Sequence, residues 1–199
     1  MNICLFDQAE IDKILDSRDE RAVHLNRVLH KKTGDTFSAG IIGGKAGTAT
    51  ITNTIEVNNP KTGKTEYSYE FKFEPAGDGK PLLPLVMVIG FPRPIQLKRL
   101  LRDIAGLGAV EVHLTGTELG EKSYMQSTLV ERGAAYKMLL DGTVQAASTH
   151  VPELFLHSAL TDCLETLEKR YGKNAERVTL DNVKKECSLE QWIEKLKSK

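Results

Sequence analysis

Apolar and polar positions along this chain follow two rhythms, and the change between them falls near residue 75. Over Glu66–Glu74 the residues Tyr67, Tyr69, Phe71 and Phe73 fall on one face, and Glu66, Ser68, Glu70, Lys72 and Glu74 on the other. That is the alternation of a half-buried strand. Over Ala49–Val57 the apolar Ala49, Ile51, Ile55 and Val57 alternate with Thr50, Thr52, Thr54 and Glu56. The segment Asn58-Asn59-Pro60-Lys61-Thr62-Gly63 between them is dense in turn formers, so the two strands are expected to form a hairpin. Gly43-Gly44 marks an earlier turn. Short antiparallel strands with one apolar face predict a small barrel or curled sheet over residues 1–75. The aromatic stripe is read as its core rather than as a base-stacking platform.

Residues 76–84 are rich in Gly and Pro and read as a linker. Beyond them Leu85-Val86-Met87-Val88-Ile89 is continuously apolar, the pattern of a strand buried on both faces. Leu97, Leu100, Leu101 and Ile104 then share one side of a helix that Gly106 and Gly108 stop, and Val110–Leu114 reads as a second strand. Further helices are expected at about 121–140 and 157–170, a strand at Arg177–Leu180, and a last helix from Ser188. The fold class is therefore α+β followed by α/β: a small β-barrel, then a domain over 85–199 with a parallel sheet. Ligands of such sheets bind beyond the carboxyl ends of the strands. Arg93 lies at one such end, with Thr115, Thr117 and Glu118 at the next.

Charge refines this picture only locally. The 27 Lys and Arg balance the 27 Asp and Glu, so any polyanion surface must come from local runs. Two runs contain no acid. One holds Arg21, His24, Arg27, His30, Lys31 and Lys32. If Ala22–Lys31 is helical, His24, Arg27 and Lys31 share a face. The other holds Arg93, Lys98, Arg99 and Arg102, with Lys98 and Arg102 one turn apart. Such runs supply sequence-independent phosphate affinity, though each taken singly also fits a solvated helix face.

The three cysteines (Cys4, Cys163 and Cys187) form no Cys-x-x-Cys pair and read as buried or half-buried thiols of a reducing compartment. The five histidines show no metal-ligand spacing, so no metal is expected, and His113 reads as structural. No apolar run reaches the roughly 18 residues of a membrane span, and the acids in MNICLFDQAEID argue against a signal peptide. A cytoplasmic protein without a membrane partner is expected.

Three segments carry a family resemblance. ERAVHLNRVLHKKTGD at 20–35 resembles the opening signature of the SPOUT-class methyltransferases that modify N3 of a uridine in small-subunit (16S) ribosomal RNA. RPIQLKRLLRDIAGLGAVEVHL at 93–114 resembles that family's first βαβ unit, and GTVQAASTHVPEL at 142–154 its segment with a glutamine and a Val-Pro pair, here Gln145, Val151 and Pro152. The resemblance implies a PUA-like barrel that docks RNA, a knotted α/β domain that binds S-adenosylmethionine, and a homodimer in the complete form. It implies RNA contacts from Arg21, His24, Arg27, Lys31, Lys32, Arg93, Lys98 and Arg102, with Arg93 and Gln145 as substrate or active-site candidates. VTLDN at 178–182 would be the first knot strand, placing Leu180 and Asp181 near the cofactor.

The chain also departs from the pattern. His30 stands where an arginine closes the motif, Gly106 where a glutamate is usual, and Ser148 replaces a common arginine. Neither the Gly-Pro-Glu-Gly-type loop nor the Leu-Gly, Ile-Leu-Arg segment occurs before Lys199. The expectation is a member truncated before its knot, self-associating through an uncovered sheet edge or only partly ordered past Leu160. The alternatives are a non-catalytic RNA-binding protein and an unrelated α/β enzyme using the Thr115–Glu118 loop.

Overall fold

A computed structural model describes residues 2–58, 63, 65–121, 125, 133–181 and 183–198. The period-two half forms a four-stranded sheet ordered β1 (Cys4–Phe6), β2 (Thr36–Ile41), β3 (Ala46–Asn58) and β4 (Thr65–Gly77). β1 runs parallel to β2, and the other neighbours are antiparallel. Helix α1 (Glu20–Arg27) buries Ala22 and Leu25, and these join Phe6, Leu15, Phe37, Ile51, Tyr69, Phe71 and Phe73 in one core. Burying each large side chain of this set contributes about 1.5–3 kcal/mol.

Two expectations in this half change. α1 ends at Arg27 rather than Lys31, because Val28 closes it and His30 takes φ 51°. Lys31 therefore leaves the helical face shared by His24 and Arg27. In β3 a bulge at Thr52, between the pairs Ile51–Phe71 and Asn53–Glu70, inserts one extra residue. It sets Thr54 rather than Asn53 opposite Tyr69, so Ile55 and Val57 leave the face of Ala49 and Ile51. Most of the proposed turn, residues 59–62, lies outside the described residues.

The second half holds a parallel sheet ordered β5 (Leu83–Gly90), β6 (Ala109–Thr115) and β7 (Glu153–His157). Helix α2 (Pro94–Leu107) follows β5, with Pro94 at its first position and Gly108 at φ 83° as a left-handed stop. Helix α3 (Ala134–Gln145) follows β6. Leu97, Leu101, Ile104, Ala135 and Leu139 pack with Val112 and Leu114. The expected helix at 121–140 is met only by α3; residues 122–124 and 126–132 lie outside the described residues. β5 is not buried on both faces. It is an edge strand, and Leu83, Leu85 and Val88 are exposed.

The chain divides into two compact units, Met1–Cys163 and Leu164–Lys199, and helix α4 (Leu160–Tyr171) begins in the first. In the second unit Arg177 pairs with Glu168, and α5 (Leu189–Lys197) starts from a capping box of Ser188 and Gln191. The strand expected at Arg177–Leu180 does not form; residues 176–181 carry no regular structure. Among the described residues no helix is long and apolar enough to cross a membrane.

Cys4 and Cys163 are buried and Cys187 half-buried, as expected. Burial pushes the Cys4 thiol up to about 11, against a smaller opposing pull from Arg21. Because the thiolate is the reactive form, iodoacetamide at neutral pH should alkylate Cys187 and spare Cys4. Peptide mass spectrometry before and after denaturation checks this.

Candidate functional site

The two sheets are tied together just before β7. Thr149, fully buried, donates its hydroxyl to the Gly44 carbonyl at 2.8 Å, and its own carbonyl accepts from the Gly43 amide at 2.7 Å. Ser148 donates its hydroxyl to the Lys80 carbonyl at 3.2 Å, and the His150 ring bonds the Asp78 carbonyl at 2.8 Å. Ser148, which stands where the resemblance leads one to look for an arginine, is thus a buried structural residue. Gln145 is exposed at the end of α3, and its carbonyl accepts from Asn2.

At the carboxyl ends of the strands the backbone is stitched into a rim. The Phe91 amide donates to the Thr115 carbonyl at 2.9 Å, and the Gly116 amide to the His157 carbonyl at 3.1 Å. Arg93 caps α2 with its backbone while its side chain stays exposed, and Lys98 lies one turn along. Thr117 and Glu118 are exposed on the neighbouring loop.

Beneath the rim lies a polar chain inside the sheet. Glu111, His113 and Thr115 share one face of β6, opposite the core side chains Val112 and Leu114. The Glu111 carboxylate bonds His113 Nε2 at 2.9 Å, and His113 Nδ1 bonds His157 Nε2 at 2.9 Å. With the carboxylate accepting, His113 carries its proton on Nε2 and offers the Nδ1 lone pair to an N–H of His157. Phe155 stacks on His113 with ring centroids 4.5 Å apart. Burial, reinforced by His113 and opposed by Asp162, holds His157 below the usual imidazole range. Spacing alone hid this group, because His113 and His157 are 44 residues apart. The available signal was the polar stripe Glu111-His113-Thr115 within a strand otherwise apolar.

The basic residues separate by environment. Arg21 is held between Glu10 and Asp19, at 2.8 and 2.7 Å, and also donates to the Leu5 carbonyl. Burial works against its charge, but the bonds to Glu10 and Asp19 outweigh that and raise its pKa above the ordinary value. Its guanidinium is occupied by the fold. His24 is half-buried on α1. Arg27, exposed, meets the half-buried Glu66 at 3.4 Å, and Arg102 meets Asp141 at 3.8 Å; both contacts are long, which leaves both cations able to turn to a phosphate. Lys31, Lys32, Arg93 and Lys98 form no ion pair among the described residues. Both basic runs border α3, since Glu20 at the start of α1 bonds Lys137 at 3.0 Å and Arg102 of α2 faces Asp141. Leu180 and Asp181 lie in the second unit, both exposed. Asp181 Oδ1 accepts from the amides of Val183 and Lys184 at 2.7 and 2.9 Å, and these bonds hold its carboxyl below the usual range.

A small mixed sheet followed by a parallel α/β sheet is a fold this chain shares with several solved structures. The crystal structure of a ribosomal RNA small subunit methyltransferase E from Neisseria gonorrhoeae bound to S-adenosyl methionine matches 82% of this chain and 64% of that one, with a TM-score of 0.55 and 17% identity. In sequence, the chain is 42% identical over 156 residues to Ribosomal RNA small subunit methyltransferase E of Treponema pallidum (strain Nichols), across 76% of this chain and 55% of that protein. It is 29% identical over 188 residues to Ribosomal RNA small subunit methyltransferase E 1 of Borreliella burgdorferi, across 91% of this chain and 75% of that protein. The chain thus spans about half the length of the first relative and three quarters of the second. No family model matches it.

Proposed function

We propose that this protein takes part in S-adenosylmethionine-dependent methylation of N3 of a uridine in small-subunit (16S) ribosomal RNA. The observation that carries the reading is the 42% identity over 156 residues to a ribosomal RNA small subunit methyltransferase E. In this reading residues 1–75 are a PUA-like docking module, 76–84 a linker, and 85–199 the framework of a SPOUT-like methyltransferase domain that works as a homodimer in the cytoplasm.

S-adenosylmethionine, when bound, supplies an electrophilic methyl group on sulfonium. Asp181 suits a contact to its ribose: Oδ1 is taken by two amides, leaving Oδ2 to accept from a hydroxyl. Leu180, 76% exposed, would be covered by an apolar ring. The remaining task of the chain is to hold RNA. Lys31, Lys32, Arg27, Lys98 and Arg102 neutralise phosphates, which positions the strand without reading its bases. Arg93, on the rim, binds the target nucleotide or a flanking phosphate; Gln145, at the far end of α3 beside Asn2, is not brought to that rim. Positioning and electrostatics supply the catalysis, with no covalent step on the protein.

The test is transfer of labelled methyl groups to small ribosomal subunits lacking the mark, with N3-methyluridine identified by mass spectrometry. Alongside it, binding of a ribosomal RNA hairpin is followed against salt. Lys32→Glu with Lys98→Glu is expected to weaken binding by at least tenfold at moderate salt and to flatten the salt dependence by about two phosphates' worth. Salt-sensitive binding without methyl transfer would support a non-catalytic RNA-binding protein instead.

A further inference from the structure

We propose that His113, His157 and Cys163 form a zinc-type metal site beneath the rim, with Glu111 as the residue that orients it. Nothing in the methyltransferase reading calls for this site, and the spacing of the histidines argued against any metal. The fold overrides spacing: β6 supplies His113, the end of β7 supplies His157, and the first turn of α4 supplies Cys163. One ring nitrogen of each histidine and Cys163 Sγ lie within 4.8 Å of one another, and His113 Nδ1 and His157 Nε2 are 2.9 Å apart. Two imidazole nitrogens and a thiolate are the borderline-soft set that suits Zn(II).

The surroundings favour such an ion. A tetrahedral zinc with nitrogen at about 2.0–2.1 Å and sulfur at about 2.3 Å sets its ligand atoms about 3.3–3.6 Å apart. The present separations bracket that value, from the 2.9 Å His113–His157 contact to the 4.8 Å limit. Glu111, bonded to the far nitrogen of His113 at 2.9 Å, fixes the tautomer that points a lone pair at the ion, the carboxylate–histidine–metal arrangement. Phe155, stacked on His113, holds the ring in plane. His113 and Cys163 are fully buried, whereas His157 is half-buried beside the rim. His157 therefore marks the way in, and water completes the fourth position. Metal binding would replace the His113–His157 hydrogen bond with two metal–nitrogen bonds, move the His157 proton from Nε2 to Nδ1, and release the thiol proton to solvent.

The experiment is a titration of the chelator-treated chain with Co(II), read by visible absorption and by thermal melting. The expected result is one ion per chain, tetrahedral d–d bands, a thiolate-to-cobalt charge-transfer band, and a rise in Tm that zinc also produces. Cys163→Ser should remove the charge-transfer band, Cys187→Ser should keep it, and Glu111→Gln should weaken binding about 10–100-fold. Circular dichroism of each variant separates loss of the site from loss of the fold. Absence of a spectrum in the folded wild-type chain, or a charge-transfer band that survives in Cys163→Ser, would overturn the proposal. Neither outcome bears on methyl transfer, which is assayed separately.

Discussion

Arg21→Ala should cost the folded state about 3 kcal/mol, measured by urea unfolding, although Arg21 lies in a run that reads as an RNA-contacting surface. The guanidinium is 17% exposed, bonds two carboxylates and the Leu5 carbonyl, and lies 4.5 Å from the centre of the Phe6 ring. Removing it leaves Glu10 and Asp19 without the guanidinium they share and uncovers a core aromatic. Breaking a buried pair costs about 3–5 kcal/mol, and the partial exposure of both acids puts the expectation at the low end. The same contact governs acid stability. Hydrogen bonding from Arg21, ahead of the opposing effect of burial, holds the Glu10 carboxyl below its ordinary range. Its contribution is therefore present above the unfolded carboxylate pKa and is lost as pH falls through the lower folded value. Arg21→Ala should lack that part of the acid limb, so wild type and variant converge at low pH. An unchanged stability at neutral pH would return Arg21 to the list of phosphate contacts.

Gly142→Ala should destabilise the protein by about 2–4 kcal/mol, against the roughly 1 kcal/mol that alanine gains over glycine inside a helix. Gly142 is buried in α3 where that helix crosses α2. A Cβ there would come within 2.3 Å of the Arg102 carbonyl oxygen and 2.9 Å of the Arg102 Cα. Backbone cannot swing aside as a side chain can, so the helices must separate and loosen Leu97, Leu101 and Leu139. Gly106→Ala is the matching control, because its Cβ would meet nothing within 4 Å. It should be neutral or mildly stabilising in the same denaturation series.

Much of the architecture was legible because burial and period agree. Tyr69, Phe71 and Phe73 point inward as their alternation requires, and Leu97, Leu101 and Ile104 face the sheet as their helical spacing requires. The failures share a physical cause: each depends on something outside its own segment. The Thr52 bulge changes which residues of β3 face inward without changing the sequence pattern. The apolar run at 85–89 was read as doubly buried, but its exposure is set by its edge place in the sheet. Of the candidate contacts, the loop and helix cations kept their solvent exposure, whereas Arg21 was claimed by Glu10, Asp19 and Leu5; Ser148 was claimed by Lys80, 68 residues away. The histidine pair was invisible for the same reason, since only strand register brings residues 113 and 157 side by side.

The segment Ser148–His150 has a mechanical meaning. A linker of Gly and Pro normally acts as a hinge, but here Asp78 and Lys80 are bonded to the stretch leading into β7, and Thr149 grips the turn at Gly43-Gly44. The linker is a braced strut. If RNA is bound as proposed, a strand held on the first sheet would meet the rim of the second at a set offset.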